Sequence, residues 1–360
     1  MSDHRQSPRY PLDALASAVQ QLFGRAGLDD DKARIVARVL LDADCMGHVT
    51  HGLALAPMYL EALASGAMTR DGGPEVVADR GACLTWRGRR LPGPWLVWQA
   101  LEVALERVKT YGTVSVALSD SHHIGALAAY LLRATEEGCL LLLASSIPSM
   151  RGVAPFGGLR AALTPNPVAA GIPTDGEPIL VDVSASITTI NMTRQYASQG
   201  RSLPGLWALD AEGNATNDPN AVLNGGTLLP AGGMDHGHKG YGWALIAEAL
   251  SQGLTGFGRA DAPVGTTLSV FLQVMDPDAF GGRDAFCRQM GWTAEACRAT
   301  EPLPGVERVR VPGERALWMR SAAIRDGVPL AESIALALHP WFERLGVAFP
   351  QPVSMPASGT

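Results

Sequence analysis

Residues 113–146 read TVSVALSDSHHIGALAAYLLRATEEGCLLLLASS, from Thr113 to Ser146. The stretch opens with a short β-like run, Thr113–Leu118. It crosses a turn rich in histidine and glycine, continues at helical spacing over Gly125–Glu137, and closes with a second apolar run, Cys139–Ala144. Strand and helix alternating so closely mark an α/β (α+β-like) chain. Working outward, β-like runs recur at Glu75–Ala78, Ala82–Trp86, Pro167–Ile172, Ile179–Val183 and Thr267–Val274. Helical patterns cover Trp95–Lys109 and Tyr241–Gln252, and Trp95, Trp98 and Leu101 of the first read as core residues.

The two ends differ from this middle. Leu12, Leu15, Val19, Leu22 and Phe23 recur at helical spacing, as do Ile35, Val36, Val39 and Leu40. The second set follows Asp29, Asp30 and Asp31, whose charges suit a helix N-terminus. A third helix is expected over Leu53–Leu63, closed by Gly66 and the DGGP turn at Asp71–Pro74. Helical spacing returns from Ala316 to Leu345. The tail FPQPVSMPASGT is expected to lie loose or wrapped over the surface. The expected organisation is a helical domain made of residues 1–70 and 316–360, around a central α/β region, residues 71–315.

Of the 360 residues, 47% are hydrophobic and 18% charged, which suits a globular chain with a real core. A net charge of -6, with no Lys/Arg block, argues against a nucleic-acid or anionic-membrane partner. Cys45, Cys83, Cys139, Cys287 and Cys297 are odd in number and scattered without a CxxC pair, which argues against a disulfide framework or a zinc ribbon. The opening MSDHRQSPRYPLD has no apolar h-region, and CLLLLA at Cys139–Ala144 is too short to span a bilayer. A cytoplasmic location is the expectation. GxGxxG, GxxxxGK[ST] and GxSxG are all absent, so neither a Rossmann fingerprint, a P-loop nor a nucleophile elbow is present.

Six of the eight histidines form three pairs, His48/His51, His122/His123 and His236/His238, each beside glycine and near Asp44, Asp120 or Asp235. Imidazole is the side chain suited to proton transfer near neutral pH. Two chemistries compete for these pairs. One is metal ligation by His48 and His51 with a third histidine, as in a metal-dependent hydrolase, although no HExxH accompanies them. The other is acid–base work on a carbonyl or imine, which needs one proton donor and a hydride carrier. The segment GGMDHGHKGYGWALIAEAL, Gly232–Leu250, sets Lys239 just before the helix expected from Tyr241. Helix-start N–H groups beside a lysine favour an anion such as pyrophosphate; a plain glycine-rich turn is the competing reading. The turn VPGERA, Val311–Ala316, is flanked by Arg310 and Arg315 in the same manner.

Six segments in order carry a resemblance. They are ADCMGHVTHGLALAPMYLEALASG (Ala43–Gly66), SHHIGALAAYLLRATEEG (Ser121–Gly138), and APFGG (Ala154–Gly158) followed by TPNPVAAGIPT (Thr164–Thr174). DVSAS (Asp182–Ser186), LPAGG to HKGYGWAL (Leu229–Leu245) and VPGE (Val311–Glu314) complete the set. Together they resemble the malate/L-lactate/sulfolactate dehydrogenase family of non-Rossmann type, which includes ureidoglycolate dehydrogenase and the Δ1-piperideine-2-carboxylate/Δ1-pyrroline-2-carboxylate reductases. The resemblance implies a largely antiparallel central sheet with helical N- and C-terminal regions, and a homodimer with the active site near the interface. It implies NADH or NADPH and a small 2-oxo, 2-hydroxy or cyclic imino acid substrate. By position, the cofactor is expected at His123, Ile124, Gly125, Ala126 and Leu127, and at Asp182, Val183 and Ser184. It is also expected at Lys239 and along Arg310, Pro312, Gly313, Glu314 and Arg315. His51, Leu55, Thr164, Asn191 and Met192 fall on the substrate side.

The substrate side departs from the family. Met46 and Leu55 stand where arginines are usual, Val49 where an aspartate is, Asn191 where a glycine is, and Met192 where an acidic residue or lysine is. Guanidinium groups are natural bidentate partners of a carboxylate. This pattern suits a reductase retuned to a less acidic or bulkier substrate, or a non-catalytic or weakly active descendant acting as a binding protein. In the catalytic reading His51, oriented by Thr50, donates the proton in reduction, and His123 polarises the reacting group or takes the proton role itself. Capping of the helix near Leu53 by Thr50 is the structural alternative.

Overall fold

The computed structural model describes residues 7–353. The expectations for residues 1–6 and for the tail beyond Val353 lie outside the described residues. In chain order the elements are β1 (Arg9–Tyr10), α1 (Leu12–Arg25), α2 (Asp30–Cys45), α3 (Ala56–Ser65), β2 (Glu75–Asp79), β3 (Cys83–Arg87), α4 (Gly93–Tyr111), β4 (Thr113–Ser121), α5 (Ala128–Glu136) and β5 (Leu140–Ser146). There follow β6 (Pro167–Ile172), β7 (Ile179–Ser184), α6 (Ile190–Ser198), β8 (Ala208–Leu209), β9 (Ala215–Thr216), α7 (Pro219–Leu223), β10 (Thr227–Leu228) and α8 (Gly233–Glu248). β11 (Leu268–Met275), α9 (Arg283–Arg298), α10 (Glu314–Asp326), β12 (Val328–Pro329) and α11 (Glu332–Leu345) complete the described residues.

The main sheet has seven strands in the order β2-β3-β4-β11-β5-β6-β7. Within this sheet, among the described residues, only β3 and β4 run parallel and the other pairings are antiparallel. Its central strands are covered on both faces, which is why they read as apolar runs rather than as alternating ones. Alternation still sorts their side chains. Val270, Leu272 and Val274 of β11 face the core that includes Leu101 and Leu105 of α4, while Phe271 packs with Ala144 and Ala247 of α8.

A second core joins α1, α2, α3 and α11, with Tyr10 and Val328 from the short β1–β12 pair. Helix α2 belongs to both cores. Asp29 caps it by accepting the Lys32 N–H at 2.8 Å. Ile35 and Val39 point into the sheet core, and Val36 and Leu40 into the helical one. The chain leaving α2 therefore emerges at the junction of the two cores. Phe349 stacks edge-on against Tyr10 and Phe342, so the start of the tail runs back over the helical core.

Four expectations need correction. The helix after the His122/His123 pair starts at Ala128 and not at Gly125, because Gly125 has φ +73°. Helix α8 starts at Gly233, well before Tyr241, and a π-turn at Ala249–Gly253 follows it. The C-terminal helical stretch is two helices split by β12. Helices α6 and α9 have no counterpart among the expected elements. Among the described residues, no helix is long and apolar enough to cross a membrane.

Candidate active site

Asp44, at the end of α2, is buried. Its Oδ2 accepts the Leu53 N–H at 2.8 Å, while Oδ1 has no partner and occupies the space a Cβ on Gly52 would need. This clamp fixes the turn that carries Thr50 and His51. Val49–His51 form a 3-10 turn, and Thr50 makes no capping bond to α3, which begins at Ala56. Instead Thr50 Oγ1 lies 3.0 Å from His51 Nδ1, so the hydroxyl sets the ring's orientation. The capping alternative is thereby removed.

His123 enters from the other side, on the loop after β4. Its ring lies 6.0 Å from that of His51 between centroids, at an interplanar angle of 25°. The Gly125 N–H donates to His123 Nδ1 at 3.1 Å, so Nδ1 is an acceptor and the ring proton resides on Nε2. Tyr59 of α3 closes the arrangement: its hydroxyl donates to the His123 carbonyl at 2.8 Å and lies 3.1 Å from Nδ1.

The loop between β3 and α4 holds the His122–His123 backbone in place. Gly88 N–H donates to Ser119 O, Arg90 N–H to Asp120 O, and His122 N–H to Leu91 O. Arg89, Arg90 and Asp120 all take left-handed backbone angles (φ 54°, 57° and 52°), a conformation rare outside glycine. At Gly93 a Cβ would sit 2.3 Å from His122 O and 2.4 Å from His123 O, so only glycine fits there. Tyr59 and Gly93 were not singled out from the sequence, and Asp44 was noted there only as lying near the His48/His51 pair.

Burial dominates the electrostatics. His123 is pushed down to about 3 by burial, helped by His51 and His122. His122, nearly fully enclosed, is pushed down to about 4 by burial and then by Arg90. Burial also lowers His51, with Asp182 acting in the opposite direction and His48 reinforcing the shift. Asp44 is pushed up to about 8 by burial, against the Leu53 hydrogen bond. At neutral pH these imidazoles are uncharged and Asp44 is protonated.

Strand β7 gathers the residues expected to hold a cofactor. Asp182 accepts the Ala128 N–H at 2.9 Å, which caps α5 and ties β7 to the His123–Leu127 loop. The Leu180 N–H donates to Pro312 O at 3.1 Å, and Gly313 (φ +96°) packs so tightly on Leu180 that a Cβ would meet its backbone N at 2.8 Å. Just past Ser184, Gly240 of α8 abuts the Ala185 carbonyl in the same way. Lys239 thus lies inside α8, after a break in helical geometry at His236, and not ahead of a helix. Gly232 (φ +98°) precedes that helix, so its helix-start N–H groups sit at the Gly233 end, where the Gly233 N–H already donates to Pro230 O at 2.9 Å. Lys239, Arg310 and Arg315 are exposed, and none has an ion-pair partner among the described residues.

Other expected positions are engaged elsewhere. Glu314 pairs with Arg298 and Arg308. The Leu55 side chain is buried in the helical core. Thr164 is buried, donating to Asn166 Oδ1 at 2.7 Å and accepting from Ile147 N–H and Arg259. Asn191 and Met192 sit in the first turn of α6, whose N-cap Thr189 accepts the Met192 N–H. Among the described residues, no three His, Cys, Asp or Glu side chains group as a metal set. The hydrolase reading therefore finds no ligand cage.

Two facing imidazoles, each oriented by a hydrogen bond, suit proton exchange with a bound small molecule. The chain belongs to the malate/L-lactate dehydrogenase family, whose model matches residues 10–339. It is 32% identical over 329 residues to an L-lactate dehydrogenase of Cupriavidus necator, covering 89% of this chain and 93% of that one. It is 30% identical over 341 residues to a Δ1-pyrroline-2-carboxylate/Δ1-piperideine-2-carboxylate reductase of Pseudomonas syringae pv. tomato, covering 91% and 94%. The structure superposes on malate dehydrogenase from Pyrococcus horikoshii OT3 with a TM-score of 0.86 at 26% identity, over 95% and 97% of the two chains.

Proposed function

We propose that this protein is an NADH- or NADPH-dependent reductase or dehydrogenase acting at the C=O or C=N carbon of a small molecule related to 2-oxo, 2-hydroxy and cyclic imino acids. The observation that carries this reading is the facing pair His51 and His123, each with its orientation fixed by a hydrogen bond at Nδ1. A nicotinamide dinucleotide supplies the hydride when bound. The residues fit such a group: its pyrophosphate needs cationic or N–H donors, and Lys239, Arg310 and Arg315 are exposed and carry no ion pair among the described residues. The β7 edge from Asp182 to Ser184 and the loop His123–Leu127 would hold the rest of it.

His51 exchanges a proton with the reacting oxygen or nitrogen, with Thr50 fixing the ring. His123, whose proton resides on Nε2, donates a hydrogen bond that polarises the same group. Proton transfer of this kind typically contributes on the order of 10²–10⁴-fold. The relatives named as a lactate dehydrogenase and as a pyrroline/piperideine-carboxylate reductase support both arms of the reaction class. We also infer a homodimer. Met234, Trp243, Leu245 and Ile246 leave apolar side chains exposed around α8, with Trp243 at 56%, next to the Lys239 segment.

The test combines quenching of protein fluorescence by NADH and NADPH with turnover of a panel of 2-oxo acids, 2-hydroxy acids and imines. His51→Ala should bind cofactor as the parent does and lose roughly a hundredfold or more in kcat. Turnover within a few-fold of the parent would remove His51 from the chemistry.

A further inference from the structure

The charges around the two histidines restrict what can sit between them. From Met46 to Gly66, the segment that carries His51, the only Lys, Arg, Asp or Glu is Glu61. From Ser121 to Leu132, the segment that carries His123, there is none. Arg133 follows, and it is held by Glu102 and Glu137. The remaining charges agree. Asp182 and His48 are the groups that act on His51, and His51 and His122 those that act on His123; among the described residues no Lys or Arg acts on either. Arg90 acts on His122. Asp182, tied to the His123–Leu127 loop by accepting the Ala128 N–H at 2.9 Å, is the carboxylate that acts on His51 among the described residues.

A 2-oxo acid or a cyclic imino acid carries a carboxylate on the carbon next to, or bearing, the reacting bond. Such a group needs a guanidinium or ammonium in reach, and here it would meet a carboxylate and uncharged rings. We propose, building on the hydride-transfer reading above, that the substrate is a cyclic imine without a carboxylate at the reacting carbon, bound as its protonated iminium ion. A positive ring is attracted by Asp182, and uncharged His51 can accept its N–H. In the step, the iminium carbon gains a hydride with its two electrons from the dihydronicotinamide, which is oxidised. The C=N π pair becomes a lone pair on nitrogen, and the product is a secondary amine. The net consumption is one proton, taken when the imine becomes an iminium ion.

The experiment compares Δ1-pyrroline and Δ1-piperideine with their 2-carboxylates at saturating NADPH and NADH. Calorimetry runs beside it, measuring piperidine against piperidine-2-carboxylate in the presence of oxidised cofactor. The expected result is a kcat/KM roughly tenfold or more higher for the carboxylate-free imines, with piperidine binding more tightly than its carboxylate. A carboxylated compound that turns over or binds better, for instance through an arginine brought by a second copy of the chain, overturns the proposal. So does a protein that binds cofactor yet reduces neither imine. A protein that binds neither nicotinamide dinucleotide fails the proposed function instead, and the fluorescence arm reports that separately.

Discussion

Replacing Asp44 with asparagine should change how stability depends on pH more than it changes the fold. Asp44 is buried, has one bonded oxygen and one without a partner, and is pushed up to about 8 by burial. An unfolded aspartate titrates near about 3.9. Between those values the folded protein holds a proton that the unfolded chain has released. Stability contributed by the protonated group is thus full below about pH 4 and is lost as pH rises through about 8. The slope is about 1.4 kcal/mol per pH unit. Over pH 5 to 7.5 this amounts to roughly 3 kcal/mol, a large share of the ~5–15 kcal/mol that holds a typical domain. The amide introduced by Asp44→Asn would keep an oxygen for the Leu53 N–H but carry no titrating proton. Any fixed cost of burying that amide shifts the variant's curve without tilting it. Urea unfolding of parent and Asp44→Asn should therefore show the variant gaining on the parent by about 3 kcal/mol across that range. All other titrating groups cancel in the difference. Parallel curves from pH 5 to 7.5 would show that Asp44 is ionised in the folded protein, and the account of the His51 turn would fail with it.

Asp44→Ala removes the acceptor of the Leu53 N–H and should cut kcat far more than Asp44→Asn does at pH 7; equal losses would mean that the clamp does not set His51. His123 is pushed down to about 3 against about 6.5 when unfolded, so its contribution is present above about pH 6.5 and drains as pH falls towards 3. Stability measured by denaturation should accordingly fall more steeply from pH 7 to 4.5 for the parent than for His123→Gln, and matching slopes would refute the burial argument. Gly93→Ala forces a Cβ against two carbonyl oxygens and should cost about 1–3 kcal/mol in stability while lowering kcat; an active variant with unchanged stability would contradict the close packing. Lys239→Ala should weaken NADPH and NADH binding several-fold, read by fluorescence titration, and an unchanged constant would take Lys239 out of the cofactor site.

The sheet was legible because β4, β5 and β11 are buried on both faces, and burial on two sides leaves a continuous apolar run in sequence. Helices α1 and α2 were legible because each presents an apolar stripe to a core. Helix α9 was not. Of its sixteen residues, only Gly291 and Ala294 are buried, so no stripe marks it. The start of α8 was hidden by glycines that serve packing, since Gly240 lets the helix touch the Ala185 and Ala231 backbones. The paired histidines stood out by composition, but what fixes them did not. Tyr59 reads as one more apolar residue of α3, yet its hydroxyl binds a residue sixty-four positions further along the chain. Nothing in the sequence marks Gly93 at the start of α4, and its need for space appears only when the His122–His123 backbone lies against it.

These long-range contacts share one physical effect. Asp44 and Thr50 fix His51, and Gly125, Tyr59 and Gly93 fix His123, and each does so from within a buried setting that disfavours charge. Burial that immobilises the two rings is the same burial that keeps them uncharged at neutral pH. For a ketone, His51 must itself take up a proton before it can give one to the oxygen, and burial disfavours that charged form. A substrate that arrives already protonated asks only for an acceptor and a nearby carboxylate, which His51 and Asp182 provide. Under the iminium proposal, Met46 and Leu55 at positions where the resemblance expects arginines and the burial of the two histidines would have a single cause, a site shaped for a reacting group that brings its own positive charge.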